Sequence, residues 1–359
     1  MRASILQSIL AGSLLCAASA AFGQLPGTAD ESLTPQQRRE VQRLAADYRR
    51  ARRDPRQKAE VVDRAVALGR PAVDALLPNI ERELHPQLTS YRGKFFQQAS
   101  LLANQQLQQV NLEEVAQLRQ TVVGLQHQPR FSNELIVQQG DPALKRLEEI
   151  FVVDREKVLA AAPALQETRQ QLAELGQLWQ RCAVFRYEQL PEGEQKPKEP
   201  PSFEAYLQGE EELAAGMAAP MDPQTRRTLS INARLSSRLD PEEARAVLAL
   251  NLTRNLLGLP AVLVDLRLTA AARDHSQDMR THNFFAHESP VPGKATPWDR
   301  AAHFSTTASA ENIAMGFQDG KAVNLAWFHS PGHHKNMLGD HKRVGIGRSG
   351  VHFTELFGR

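Results

Sequence analysis

Between Thr34 and about Leu190 apolar residues recur at intervals of three and four while polar residues fill the other faces, as in Leu107, Val110, Val115, Leu118, Val122 and Leu125. That spacing predicts long amphipathic helices. No heptad holds over three or four turns, which favours an antiparallel bundle over an extended coiled coil. The start signals agree. Thr34-Pro35-Gln36-Gln37 offers a capping hydroxyl, a proline at the first helical position and a glutamine three residues after the cap. Asn111-Leu112-Glu113-Glu114 repeats that logic. From Leu190 to Pro201 the pattern stops in LPEGEQKPKEPP, a stretch of proline, glycine and charge that predicts a linker. A short helix is expected around Phe203 to Met217, and a polar stretch follows to Asp240.

The pattern changes again after Asp240. Asp240-Pro241-Glu242-Glu243 predicts a capped helix running to Leu257, stopped by Gly258 and Pro260. A second helix is predicted from Thr269 to about His282. Leu268, Ala271, His275, Met279 and His282 share one stripe of it, which turns both histidines inward. Near the end, Val344-Gly345-Ile346-Gly347 alternates, Ser349-Gly350 offers a turn, and Val351, Phe353 and Phe357 continue the alternation. This predicts a central hairpin whose glycines mark a close backbone approach or a kink.

The chain has 359 residues, more than one hydrophobic core usually serves, so two domains are expected. A hydrophobic content of 42% with a formal net charge of +2 excludes a disordered polyelectrolyte and a strongly basic nucleic-acid binder. Arg2, the apolar stretch Ile5 to Phe22, and Ala21-Phe22-Gly23 ahead of Gln24 predict a signal peptide over residues 1–23. A mature chain starting at Gln24 is therefore expected outside the cytoplasm, secreted or periplasmic, with no transmembrane segment and no nucleic-acid partner. Cys182 would then be its one cysteine, which excludes an internal disulfide. The domains expected are a helical one over 24–189, a linker with short helices over 190–239, and a third region over 240–359.

Nine of the eleven histidines fall after residue 240, a skew that raises the prospect of a site there. The same region carries LNLTRNLLGLPAVLVDLRLTAAARDHSQDMRTHNFFAHESPVPGK, then AENIAMGF, AWFHSPGHHKNML, VGIG and FTELFG. These five motifs, in this order, resemble the bacterial branch of the CAP superfamily, also called SCP or cysteine-rich secretory protein domains. The resemblance covers about 240–359 and nothing before it. It implies an α-β-α sandwich, so the whole chain is expected to be α+β, an all-α bundle followed by the sandwich. It also implies a cleft lined by two histidines and acidic residues, which in some members binds a divalent metal. By the motifs, His287 in FFAH and His333 in SPGHH match the two histidines, and Glu311 in AENI matches the glutamate. Ser330 stands three residues after Trp327, where many eukaryotic members have glutamate. Taken as chemistry, two imidazoles and a carboxylate with an open fourth position make a zinc set, so His287, Glu311 and His333 are the expected ligands of a divalent metal.

Three functions compete. The cleft of His287, Glu311, Ser330 and His333 holds a small-molecule, lipid, glycan, peptide or envelope-polymer ligand; or it is a metal-dependent peptidase or other hydrolase of the envelope or extracellular space; or the helical region assembles with an envelope partner. The absence of a nucleophile with an adjacent base favours the first. Arg49, Arg50, Arg52, Arg53, Arg56 and Lys58 form a cationic cluster that reads either as a contact with an anionic surface or as a solvated helix end.

Overall fold

A computed structural model describes residues 34–51, 54–190 and 200–359. The expected signal peptide and cleavage point, most of the expected linker, and Arg52 and Arg53 of the cationic cluster lie outside the described residues. Short turns aside, in chain order the α-helices are α1 (Pro35–Arg50), α2 (Pro55–Leu68), α3 (Arg70–Leu107), α4 (Leu112–Gly124), α5 (Asp141–Phe151), α6 (Arg155–Ala160), α7 (Pro163–Glu188), α8 (Phe203–Ala218), α9 (Pro223–Leu235) and α10 (Pro241–Leu256). Then come β1 (Leu263–Val264), α11 (Leu266–Thr281), α12 (Pro297–His303), β2 (Ala310–Met315), α13 (Gly320–His329), α14 (Pro331–Leu338), β3 (Arg343–Ser349) and β4 (His352–Gly358). The start signals are realised. Thr34 and Asp240 both form reciprocal capping boxes, and Asn111 accepts from Glu113 N and Glu114 N. The stripe read from Leu107 to Leu125 is split, because α3 ends at Leu107 and α4 begins after the Asn111 cap.

The described residues form two compact units, 34–98 with 155–214, and 99–154 with 215–359. The first unit is all helical. Its core includes Leu44, Val62, Leu76, Ile80, Leu88, Phe95, Leu172, Trp179 and Phe203. Phe203 lies so close to α7 that a Cβ on Gly176 would sit 2.0 Å from its ring, so glycine is what admits the contact. Beneath α8 lies a buried charge network. Arg92 Nε pairs with Glu210 Oε2 at 2.8 Å, and Glu211 accepts from Arg169 Nε at 2.7 Å, from Arg155 Nη1 at 2.9 Å and from the Tyr91 hydroxyl. Cys182 is fully buried, and burial pushes its thiol up to about 12, which leaves it inert.

The second unit contains a four-stranded sheet in the order β1-β3-β4-β2, with β1 parallel to β3 and the other neighbours antiparallel. The hairpin expected at the end of the chain is β3 and β4. Strand alternation sorts its residues between two helical layers. Thr354 and Leu356 face α11, where Ser276 Oγ donates to the Gly347 carbonyl at 2.9 Å and Leu356 packs with Leu268, Ala271, Ala272 and Ala301. Val344, Ile346, Phe353 and Phe357 enter a second core with residues of α10, α13 and α14. This is the expected α-β-α sandwich, within an α+β chain. The hairpin glycines mark a close approach. A Cβ on Gly345 would lie 2.2 Å from the Leu268 carbonyl carbon, and one on Gly347 would lie 2.0 Å from Arg273 N.

Two expectations change. Residues expected in a helical domain over 24–189 divide between the units: Val115, Val122, Leu125, Ile136, Ala143 and Leu147 share one core with Leu250, Trp327 and Phe328. The apolar stripes of α4 and α5 fit the outer face of α10, and chain order does not decide which unit buries them. His282, expected to face inward, is exposed at the C-cap of α11, because the helix ends before the stripe completes another turn. His275 on the same stripe is fully buried, with Nε2 3.1 Å from the Ala286 carbonyl and a pKa pushed down to about 4 by burial.

Candidate functional site

The candidate site sits at the free edge of the sheet, on β2. Glu311 and Asn312 are neighbours on this strand, so their side chains project to opposite layers. Glu311 points towards α11 and α12. There α12, opened by a Thr296–Asp299 capping box with Pro297 at its start, presents Arg300, which is fully buried. Arg300 Nη2 donates to Glu311 Oε2 at 2.5 Å and to the His287 carbonyl at 2.9 Å. Its Nη1 donates to the carbonyls of Lys294 at 3.1 Å and Ala295 at 3.3 Å. One guanidinium thereby ties the loop carrying His287 to the strand carrying Glu311. The other carboxylate oxygen, Oε1, accepts from His287 Nδ1–H at 2.9 Å. The Glu311 side chain is 2% exposed and that of His287 is 52% exposed, so a buried ion pair supports a half-exposed imidazole held at Nδ1.

His333 arrives from the other layer, in the first turn of α14. Asn336 Nδ2 donates to Asn312 Oδ1 at 2.8 Å and to the Glu311 carbonyl at 3.1 Å, while Asn312 Nδ2 lies 3.4 Å from the His333 carbonyl. These amides stitch α14 to β2. Burial, and then the nearby His287, push the His333 pKa below the ordinary imidazole value, so the two histidines are electrostatic neighbours. Ser330 joins α13 to α14 through its backbone; its carbonyl accepts from His334 N at 2.7 Å, and its side chain makes no capping hydrogen bond.

Among the described residues no group of three or more His, Cys, Asp or Glu is arranged to hold a metal ion. The partners of Glu311 are already fixed. Both of its oxygens are engaged, one by a buried guanidinium, and freeing either would leave a buried charge uncompensated. Glu311 is instead placed as the partner that orients His287 from behind.

Several residues of the site had no signal in the sequence pattern. Arg300 lies on an exposed-looking short helix, and Asp141 is far away in the chain. His329 Nε2 lies 2.9 Å from both Asp141 oxygens, and Asn133 Nδ2 donates to the His329 carbonyl at 2.8 Å, so the start of α5 braces the α13–α14 junction. Phe131 meets the His334 ring edge-on at 5.4 Å. Glu355 is the second buried carboxyl. It is 0% exposed, its Oε2 accepts from Asn312 Nδ2 at 2.7 Å, and its Oε1 has no hydrogen-bond partner.

Burial raises the Glu355 pKa to about 8, against the opposing effects of the Asn312 hydrogen bond and the Arg254 charge. In the unfolded chain the same carboxyl ionises near pH 4.3. The folded state therefore holds the extra proton between these values. Its contribution to stability is complete below the unfolded pKa and is lost as pH rises through about 8, at a slope of at most about 1.4 kcal/mol per pH unit. Glu355→Gln keeps an acceptor for Asn312 and cannot ionise. It is expected to flatten this slope and to raise the melting temperature most at alkaline pH. Unfolding curves taken from about pH 5 to 9 check this; parallel wild-type and variant profiles would remove Glu355 as the source.

Comparison with known proteins places these residues in a family. The model of the cysteine-rich secretory protein family, CAP, matches residues 247–352. The uncharacterized protein YkwD of Bacillus subtilis is 38% identical over 120 residues, covering 32% of this chain and 46% of that protein. The uncharacterized membrane protein YlbC of the same organism is 32% identical over 108 residues, covering 30% and 31%. This chain thus spans less than half the length of either relative. A crystal structure of an extracellular protein containing an SCP domain, from Bacillus anthracis, shares 26% identity over 42% of this chain and 49% of that one, with a TM-score of 0.32. His287, Glu311, Ser330 and His333 all fall inside the matched segment, and this chain carries, across residues 247–352, a bacterial CAP domain of the cysteine-rich secretory protein family.

Proposed function

We propose that the protein is exported to the periplasm or the extracellular space, and that the cleft around His287, Glu311, Ser330 and His333 holds a lipid, glycan or peptide ligand there. The observation that carries this reading is the presentation of His287: an exposed imidazole held at Nδ1 by Glu311, itself anchored to fully buried Arg300. A buried ion pair is a poor source of stability for its desolvation cost. Its position beneath a solvent-facing ring suits a site that must present Nε2 in one orientation. No described helix is long and apolar enough to cross a membrane.

A divalent metal such as zinc enters this reading with two protein ligands, His287 Nε2 and His333, and with Glu311 behind the first. Bound there, it would polarise an oxygen of the ligand. Both imidazoles must be neutral to ligate, so the stabilisation by zinc is expected to fade as pH falls through the histidine range. His333, with its lowered pKa, stays available to lower pH than an ordinary imidazole. Thermal shifts with and without zinc check this: His287→Ala and His333→Ala are each expected to abolish most of the shift, and His352→Ala to preserve it. Equal shifts in all variants would assign zinc to scattered histidines. For the ligand itself, fluorescent fatty acids, soluble glycan fragments and short peptides are the probes. Binding that persists unchanged in His287→Ala would remove the cleft from the proposal.

The hydrolase reading draws on the surroundings of His333: burial, and then the nearby His287, favour its neutral form, the state a general base needs. Against it, no hydrogen bond joins Ser330 to His333 among the described residues. Turnover of a peptide or ester panel that disappears in Glu311→Gln would favour hydrolysis over binding.

A further inference from the structure

In the helical unit of 34–98 and 155–214, a cleft of about 340 Å³ opens where α1, α2 and α3 meet, lined by Tyr48, Arg49, Lys58, Asn79, Arg82 and Glu83. Its charges do not cancel. Lys58, only 6% exposed, pairs with Glu83 at 2.5 Å, and the two neutralise each other. Arg49 Nη1 donates to Asn79 Oδ1 at 3.1 Å, and among the described residues no carboxylate pairs with Arg49 or with Arg82. Both guanidiniums are exposed, so the cleft keeps two unneutralised positive charges.

Tyr48 supplies the second observation. It is 2% exposed and lies under Lys58, whose Nζ is 5.2 Å from the ring centroid. Its hydroxyl is near the Glu83 carboxylate but makes no hydrogen bond of normal geometry. A buried hydroxyl without a well-formed hydrogen bond is costly, so a ligand that accepts its proton in good geometry recovers energy the free protein forgoes. Burial, with the Glu83 charge, raises the Tyr48 pKa and keeps the hydroxyl a donor.

We propose that this cleft binds a phosphoryl group carried on a larger molecule, with Arg49 and Arg82 as charge-assisted donors and Tyr48 as the neutral donor. A tetrahedral oxyanion of charge between one and two matches two free guanidiniums and offers oxygens enough for all three donors. The volume equals about eleven waters at roughly 30 Å³ each, more than one phosphate fills, and so leaves space for the rest of an ester. The anionic contact expected of the Arg49–Lys58 cluster is thereby narrowed to named side chains. It is independent of the histidine cleft.

The test uses the full chain, titrated calorimetrically with inorganic phosphate and with glycerol phosphate, and floated with phosphatidylcholine vesicles that contain or lack phosphatidylglycerol. Arg49→Gln and Arg82→Gln are each expected to weaken binding about tenfold, the loss of one charge-assisted hydrogen bond. Arg43→Gln, exposed on α1 outside the cleft, is expected to leave binding within about twofold, because distant surface charges are screened. Tyr48→Phe is expected to weaken binding while thermal stability holds or rises, a pairing that a packing role does not produce. Variant-sensitive binding of the soluble phosphates alone assigns a soluble ester; variant-sensitive flotation with phosphatidylglycerol alone assigns a lipid headgroup; both together assign the phosphoryl group as such. Absence of binding in both arms, or equal losses in Arg43→Gln and Arg49→Gln, overturns the proposal.

Discussion

Arg300→Met is expected to destabilise the unit containing the CAP domain by about 3–5 kcal/mol, the cost of leaving a buried partner charge uncompensated. The substitution strands Glu311, whose side chain is 2% exposed, and removes the donor that holds the carbonyls of His287, Lys294 and Ala295. The second variant separates these effects. Arg300→Met combined with Glu311→Gln leaves no buried charge and is expected to recover much of the loss, since an ion pair replaced as a whole is often neutral. Denaturant unfolding of the wild type, both single variants and the double variant closes the cycle. A double variant as unstable as Arg300→Met would show that the carbonyl contacts dominate. In either case the His287 ring loses its anchored partner, so ligand binding at the cleft is expected to fall in both variants.

A fragment of residues 225–359, which contains every motif of the family match, is expected not to unfold cooperatively by itself. It looks self-sufficient in the sequence, because its helices and hairpin carry their own apolar residues. In the structure the face made by Leu250, Leu257, Trp327 and Phe328 is completed by Val115, Val122, Leu125, Ile136 and Leu147. Each such side chain contributes about 1.5–3 kcal/mol on full burial, so losing five exceeds much of a domain's usual margin of about 5–15 kcal/mol. The fragment also loses Asp141 and Asn133, which brace His329 beside the cleft. Supplying residues 99–154 as a separate chain is expected to restore a cooperative transition, read by thermal circular dichroism. A sharp transition in 225–359 alone would sink this account.

Local chemistry was legible because it is short in range. A capping residue and its partner are three positions apart, so the starts at Thr34, Asn111 and Asp240 could be read without knowledge of what the helices touch. The hairpin at 343–358 follows from alternation and a turn within sixteen residues. His275 could be placed inward by its spacing, whereas the same rule failed at His282, because periodicity holds only while the helix lasts.

The site needed more than spacing. The motif order brought His287, Glu311 and His333 forward as neighbours, yet the roles of the three depended on partners that no short-range rule connects to them. Arg300 is eleven residues from Glu311 in the chain, on another element, and pairs with it where both side chains are buried. Asn312 and Glu355 meet across the register of β2 and β4, and Asp141 reaches His329 over 188 positions.

The element types, the helix caps, the terminal hairpin and the family of residues 247–352 are each encoded by residues near one another or by motifs in a fixed order. Long-range packing is what lets residues 112–151 complete the CAP core, engages both oxygens of Glu311 with Arg300 and His287, and gathers Tyr48 and two arginines around one cleft. Apolar stripes and charged groups state that they must be buried or paired. Which partner satisfies them is a property of the packed chain, because many pairings are compatible with one stripe and a single compact arrangement buries them all.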